Sequence, residues 1–244
     1  MKRNFKITIA YDGTDLKGWQ FQPNVRTVQG DIEKELLKLF KGQKVTLIGS
    51  GRTDSGVHAY GQVANVILDT DWKNENIKNA LNANLKNDIY IKDVVEIDES
   101  FHARFRAIER TYKYYIVSDY YPFQRDFAWY IKYNFNFDIL SQCAALIIKN
   151  KNFESFCKAN SEVENKQCSI LKSNWIYDGF FYVYEIKGNR FLHHMVRFLV
   201  GTMLEVAKGK IPIEEFQKML NNEKTNYKIF CAPSIGLFLQ KVKY

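Results

Sequence analysis

Val45-Thr46-Leu47-Ile48-Gly49 and Gly61-Gln62-Val63-Ala64-Asn65-Val66-Ile67-Leu68 read as two strands separated only by the glycine-rich stretch from Ser50 to Tyr60. Both runs are rich in β-branched residues, which suit a pleated, half-buried surface. No helical periodicity lies between them, so the strands are consecutive. Upstream, Phe5-Lys6-Ile7-Thr8-Ile9-Ala10-Tyr11 alternates large apolar with small or polar residues, and Asp12-Gly13-Thr14-Asp15 breaks the pattern. Thr27 is a good N-cap for a helix carrying Val28, Ile32, Leu36, Leu39 and Phe40 on one face. Downstream, a helix is expected over residues 74–84, with Ile77, Ala80, Leu81 and Leu85 inward, and a strand over 89–97. The order is β-α-β-β-α-β.

The second half repeats this order. Residues 111–117 alternate as a strand, and Asp138 is the expected N-cap before Ile139, Ala144, Leu146 and Ile147. A weak strand is expected over 153–156, then a hairpin of 175–177 and 180–186 around Asp178-Gly179. Phe191, Met195, Phe198, Thr202 and Val206 stand at helical spacing over 190–207. Pro212 starts a short helix, and 235–242 reads as the final strand. The expected fold is α+β: two ferredoxin-like (βαββαβ-type) subdomains whose antiparallel sheets merge around a central active-site cleft. Residues 1–105 form the first subdomain and 106–244 the second, which completes the cleft. No Pro-, Gly- or Ser-rich linker divides them, so they are expected to pack as one rigid body.

With 244 residues, 46% hydrophobic and 25% charged, the composition is that of a globular chain with a sizeable core. No segment approaches the roughly 18 apolar residues of a membrane span. The start runs directly into a strand pattern without a secretory leader, so a cytoplasmic location and no membrane partner are expected. Cys143, Cys157, Cys168 and Cys231 are widely spaced and read as free thiols. The net charge of +8 suits a polyanion partner, and equally a basic enzyme with none.

Gly49-Ser50-Gly51-Arg52-Thr53-Asp54-Ser55-Gly56-Val57-His58-Ala59 places three glycines within eight residues, around an arginine and an aspartate two apart. Such backbone bends sharply or approaches something closely. An arginine there can hold a phosphate, and an aspartate near a cation is available as base or nucleophile. An ordinary turn with an exposed ion pair fits the same composition. A Walker A loop does not, because its Gly-x-x-x-x-Gly-Lys-Ser/Thr pattern is absent.

Together with Gly61-Gln62-Val63, this stretch resembles the signature of the bacterial tRNA pseudouridine synthase A (TruA) family. Four further blocks match in order: Tyr11-Asp12-Gly13-Thr14 with Gly18-Trp19-Gln20; Phe101-His102-Ala103-Arg104-Phe105 leading into Tyr112; Asn189-Arg190-Phe191-Leu192-His193-His194-Met195-Val196-Arg197; and Ala232-Pro233-Ser234-Ile235-Gly236-Leu237-Phe238-Leu239. The resemblance implies an isomerase that converts uridine to pseudouridine at tRNA positions 38, 39 and 40, in the anticodon stem-loop, and acts as a homodimer. The target base is flipped out for reaction. Asp54 becomes the essential carboxylate, as nucleophile or base, with Arg197 as its ion-pair partner. Arg52 contacts RNA, Tyr112 stacks on the target base, and Leu237 or Leu239 lines the uracil pocket. The reaction involves no redox change, so no cofactor is implied.

Each assignment has a structural counterpart: Tyr112 as a core tyrosine, Arg197 as a helix-surface arginine, both leucines as core residues. His193 and His194 invite a metal reading, but adjacent helical positions point about 100° apart, so no metal site is assigned. His58 and His102 suit a supporting hydrogen bond as well as catalysis. Lys149, Lys151, Lys166, Lys172, Lys208, Lys210, Lys241 and Lys243 are the basic groups placed near phosphate. In Glu162-Val163-Glu164-Asn165-Lys166-Gln167-Cys168 the chain departs from the family, where many members carry arginine at the position of Cys168; an RNA or structural contact of that loop is thereby in doubt. A non-catalytic RNA-binding or RNA-folding protein is the alternative, and the intact Asp54, Arg52, Tyr112 and Arg197 set argues against it.

Overall fold

The computed structural model describes residues 2–158 and 163–244, so Glu162 of the loop quoted above lies outside the described residues. The chain is mixed α and β, with mostly antiparallel strand pairing and five α-helices among the described residues. Its contacts divide it into two compact units, 1–108 with 238–244, and 109–237.

In the first unit β1 (Lys2–Tyr11) is central, paired antiparallel with β3 (His58–Asp69) on one side and β4 (Ile89–Ile97) on the other. Phe5, Ile7 and Ile9 are fully buried, as the period-2 alternation of β1 requires. Helix α1 (Val28–Leu39) buries Val28, Ile32 and Leu36, and α2 (Asn74–Asn84) buries Ile77 and Leu81. Burying such a side chain is worth about 1.5–3 kcal/mol, so these positions dominate the stability of the unit. The Thr27 hydroxyl accepts the Gly30 N–H at 3.1 Å and caps α1 as expected. Only Ile48–Gly49 of the expected 45–49 strand is paired, as β2, because the Leu47 N–H is taken by Glu33 of α1 at 2.7 Å. The last strand, β9 (Leu237–Lys243), pairs in parallel with the start of β3, His58 opposite Phe238 and Ala59 opposite Leu239.

The second unit is built on β5 (Glu109–Val117), β8 (Tyr182–Gly188) and β7 (Ile170–Tyr177), all antiparallel, with the two-residue β6 (Trp129–Tyr130) parallel to β5. Helices α3 (Phe137–Ile148), α4 (Met195–Ala207) and α5 (Ile213–Leu220) complete it. The hairpin turn forms at Asp178-Gly179, where Asp178 Oδ1 accepts the N–H groups of Phe180 and Phe181.

Four expectations are corrected here. Asn136, not Asp138, caps α3, because its extended backbone lets Oδ1 accept the N–H groups of Asp138 and Ile139. Residues 154–156 form a single 3-10 turn rather than a strand, drawn in by Asn152, which accepts the Glu154 N–H at 3.1 Å. Helix α4 begins at Met195 rather than residue 190, because His194 has φ +65° and cannot continue a right-handed helix. The final strand begins at Leu237, after a 3-10 turn over Ser234–Gly236.

Candidate active site

The connection from β2 to β3 carries Arg52 and Asp54 on irregular backbone, and several elements of the first unit hold it. Gln62, fully buried at the start of β3, does most. Its Oε1 accepts the Ser50 hydroxyl at 2.7 Å and the Val63 N–H at 3.1 Å, while its amide donates to the Gly51 carbonyl at 3.1 Å. Ser50 N–H also donates to the Val63 carbonyl at 2.7 Å. On the other flank, the Tyr11 and Thr53 hydroxyls share a 2.7 Å hydrogen bond, and the Trp19 N–H donates to the Thr53 carbonyl at 3.1 Å. The β1–β3 pairing shifts register between Ile9 and Tyr11.

Two glycines let the preceding turn lie flush against this backbone. A Cβ on Gly18, which has φ +86°, would sit 2.6 Å from the Thr53 carbonyl oxygen, and one on Gly13 would sit 2.1 Å from that of Val57. His58 is buried beneath the same turn: its Nδ1 accepts the Gly13 N–H at 3.0 Å, and its ring stacks on Phe238 at 4.5 Å. The Asp12 carboxylate comes within 3.1 Å of that nitrogen while accepting the Thr14 N–H and hydroxyl. His58 thus supports the loop. With Thr53 and Val57 buried, Arg52 is left exposed and Asp54 half-buried. Leu239 belongs to this unit, buried and in register with Ala59.

Tyr112, Arg197 and Leu237 belong to the second unit. Tyr112 lies on β5, 9% exposed and edge-on to Phe191 at 5.2 Å. Arg197 stands in the first turn of α4. Its Nε donates to the Ala232 carbonyl at 2.8 Å, and its own carbonyl accepts the Ala232 N–H at 3.0 Å. The strap over residues 230–236 is fixed at further points. The Thr202 hydroxyl accepts the Phe230 N–H at 3.2 Å, and the Tyr114 hydroxyl donates to the Pro233 carbonyl at 2.8 Å. A Cβ on Gly201 would meet the Phe230 carbonyl oxygen at 2.5 Å. Burial raises the Tyr114 hydroxyl well above its ordinary pKa, and the positive charge of Arg197 offsets part of the rise. Leu237 is buried at the end of the strap.

The family motif contained the supporting residues Tyr11, Gly13, Gly18, Ser50, Thr53 and Gln62, yet the sequence reading attached no role to them. Their signal is their place in matched blocks that carry no obvious chemistry. His193 and His194 precede α4, so the helical reason for their divergence does not apply; their ring centroids lie 4.4 Å apart. Several basic candidates are engaged within the unit: Lys172 pairs with Glu185 at 3.1 Å, and Lys208 and Lys210 pair with Glu205 at 2.9 and 3.5 Å. Lys149, Lys151, Lys241 and Lys243 are exposed. Cys168 is 1% exposed, and burial pushes its thiol up to about 11. A side chain so placed is a core thiol rather than a surface contact.

A family model described as tRNA pseudouridine synthase matches residues 7–106 and 148–244. Proteins named tRNA pseudouridine synthase A match over nearly their whole length. The one from Anoxybacillus flavithermus is 37% identical over 99% of both chains, and that from Bacillus pumilus is 40% identical over 98% of both. The one from Brachyspira hyodysenteriae is 40% identical over 98% of this chain and 97% of its own. The chain belongs to the tRNA pseudouridine synthase A family.

Proposed function

We propose that the chain isomerises uridine to pseudouridine in tRNA, at positions 38, 39 and 40 of the anticodon stem-loop, with Asp54 as the catalytic carboxylate. The observation that carries this reading is the loop itself. Gln62 holds the backbone before Arg52 through the Gly51 carbonyl, and Tyr11 holds the Thr53 side chain between Arg52 and Asp54, which both keep access to solvent. A reactive carboxylate held on a rigid scaffold is what covalent or general-base catalysis needs.

In the reaction the bond from ribose C1′ to uracil N1 breaks, the base turns, and C5 bonds to C1′; C5 loses its proton and N1 takes one up, so the net change is an isomerisation. Asp54 attacks the sugar, attacks the base, or removes a ribose proton; each route uses the ionised carboxylate. Arg197 supplies the positive partner for Asp54, and its restraint by the Ala232 carbonyl supports a fixed guanidinium. Arg52 contacts the RNA and helps hold the flipped nucleotide, Tyr112 stacks on the target base, and Leu237 or Leu239 lines the uracil pocket. No cofactor takes part. Residues 1–105 and 106–244 act as two ferredoxin-like subdomains. The antiparallel succession β4-β1-β3-β2 with two helices supports that description for the first. The active form is a cytoplasmic homodimer that grips one tRNA.

Tritium release from [5-³H]uridine-labelled tRNA tests the reading. The native protein is expected to release tritium, and Asp54→Asn to be slower by at least about 10³-fold, the scale of losing an essential catalytic group. Equal release by both would remove Asp54 from the mechanism. Release from outside the anticodon arm would remove the substrate assignment. Tight tRNA binding with no release by the native protein would favour the RNA-folding alternative.

A further inference from the structure

The matched block Phe101-His102-Ala103-Arg104-Phe105 has no role in the reaction above. Its backbone is nevertheless held by buried side chains. Asn4, 2% exposed, donates to the carbonyls of Asp98 at 3.1 Å and Phe101 at 3.0 Å, and accepts the Asn65 amide at 3.1 Å. Asn65, itself buried, accepts the Ala103 N–H at 2.9 Å, and the Tyr244 hydroxyl donates to the Ala103 carbonyl at 2.9 Å. Beyond this anchor His102 organises the tip. Its Nδ1 accepts the N–H groups of Arg104 and Phe105 at 3.2 and 3.4 Å, and its ring stacks against Phe105 with centroids 4.2 Å apart.

The outcome is a phenylalanine ring backed by histidine yet 76% exposed, with the Arg104 guanidinium 5.8 Å from its centroid. No acidic residue occurs from His102 to Ile108. A lone exposed phenylalanine on a flexible turn would need no explanation. A buried polar network beneath the turn removes that flexibility, so little ordering entropy is lost when something stacks on the ring. Base-on-aromatic stacking beside a cation is how proteins hold unpaired nucleotides of any sequence.

We propose that Phe105 is a stacking platform for an unpaired nucleobase of the RNA, with Arg104 as the neighbouring phosphate or π-face partner. The site lies outside the set assigned to the reacting uridine, and it rests on the reading of the chain as a tRNA-acting enzyme. The test is fluorescence anisotropy with two RNAs, an anticodon stem-loop and a loopless duplex of the same stem. The proteins are native, Phe105→Leu and Phe105→Trp, each first checked for an unchanged melting temperature. Phe105→Leu keeps the apolar bulk without the π face. It is expected to weaken stem-loop binding about tenfold, the scale of one lost stack, and duplex binding less than twofold. Phe105→Trp is expected to restore native affinity. Native affinity in Phe105→Leu, or equal losses on both RNAs, would overturn the platform and leave the tRNA reading standing. If the native protein binds neither RNA, the tRNA reading falls and takes the platform with it.

Discussion

The Arg52–Asp54 loop and the Arg197 turn of α4 present charged side chains in opposite ways. The loop lies on irregular backbone held at single carbonyls by Gln62 and Trp19 and at the Thr53 hydroxyl by Tyr11, with glycines where the preceding turn touches it. Arg197 stands in the first turn of a regular helix and is tied sideways to the 230–236 strap through both its guanidinium and its carbonyl. Without ladder hydrogen bonds to share a perturbation, the loop depends on single atoms. The helix distributes it. Changes beneath the loop should therefore alter turnover beyond their effect on stability, whereas equal changes around α4 should alter mainly stability.

Glycine substitutions test this most severely. Gly13→Ala and Gly18→Ala each force a Cβ against loop backbone, and Gly18 also requires φ +86°. Each is expected to cost about 3 kcal/mol in urea unfolding and to lose turnover even in the folded fraction. Gly201→Ala meets the Phe230 carbonyl at 2.5 Å and should cost about 2 kcal/mol, with turnover per folded molecule preserved within a few-fold. A reversed order of turnover losses would break the comparison.

A smaller effect is expected from Gln62→Leu, which leaves the Ser50 hydroxyl and the Gly51 carbonyl without their buried partner. The expected cost is about 2 kcal/mol, or roughly 4–8 °C in melting temperature, with kcat falling about tenfold and KM little changed. A loss confined to KM would show that Gln62 shapes an RNA contact instead. Smaller again are the paired hydroxyl deletions Tyr11→Phe and Tyr114→Phe, each expected to cost about 1 kcal/mol. Tyr11→Phe should also slow turnover more than Tyr114→Phe, as read by tritium release under saturating tRNA.

The smallest effect concerns pH at the hairpin tip of the second unit. N–H groups of Phe181 and Phe180 hold the Asp178 carboxyl below its ordinary value. A depressed carboxyl contributes stability above its unfolded pKa, near 3.9, and that contribution disappears as pH falls through the lower folded value. Because the tip is exposed, Asp178→Ala should flatten only slightly the acid arm of a melting-temperature profile below about pH 4.

Local chemistry was legible in the residues. The Thr27 cap, the alternation of β1 and the buried stripe of α2 each depend on neighbours a few positions away. Asn136 and Asp138 are both good caps, and only the extended backbone at 136 decides between them. The helical spacing of Phe191 ran past a boundary imposed by the left-handed His194, which spacing does not encode. The same divide runs through the site. The glycines marked the Asp54 loop, whereas Tyr112 in an alternating strand and Arg197 on an apolar helix look structural until the family pattern is recognised. Gln62 was silent for another reason: a polar residue in a strand normally faces water, and this one is fully buried under the loop.

The parallel pairing of β9 with β3 also bears on how the chain is made. His58 and Phe238 meet across about 180 intervening residues, a long loop to close, and contacts of such sequence separation form slowly. On a ribosome the Asp54 loop would emerge early and wait, its exit strand unpaired along that edge, while all of residues 109–237 were translated. The ring of Phe238 that stacks on His58 arrives only after them. A nascent chain therefore gains its finished loop only after the intervening unit has had time to fold.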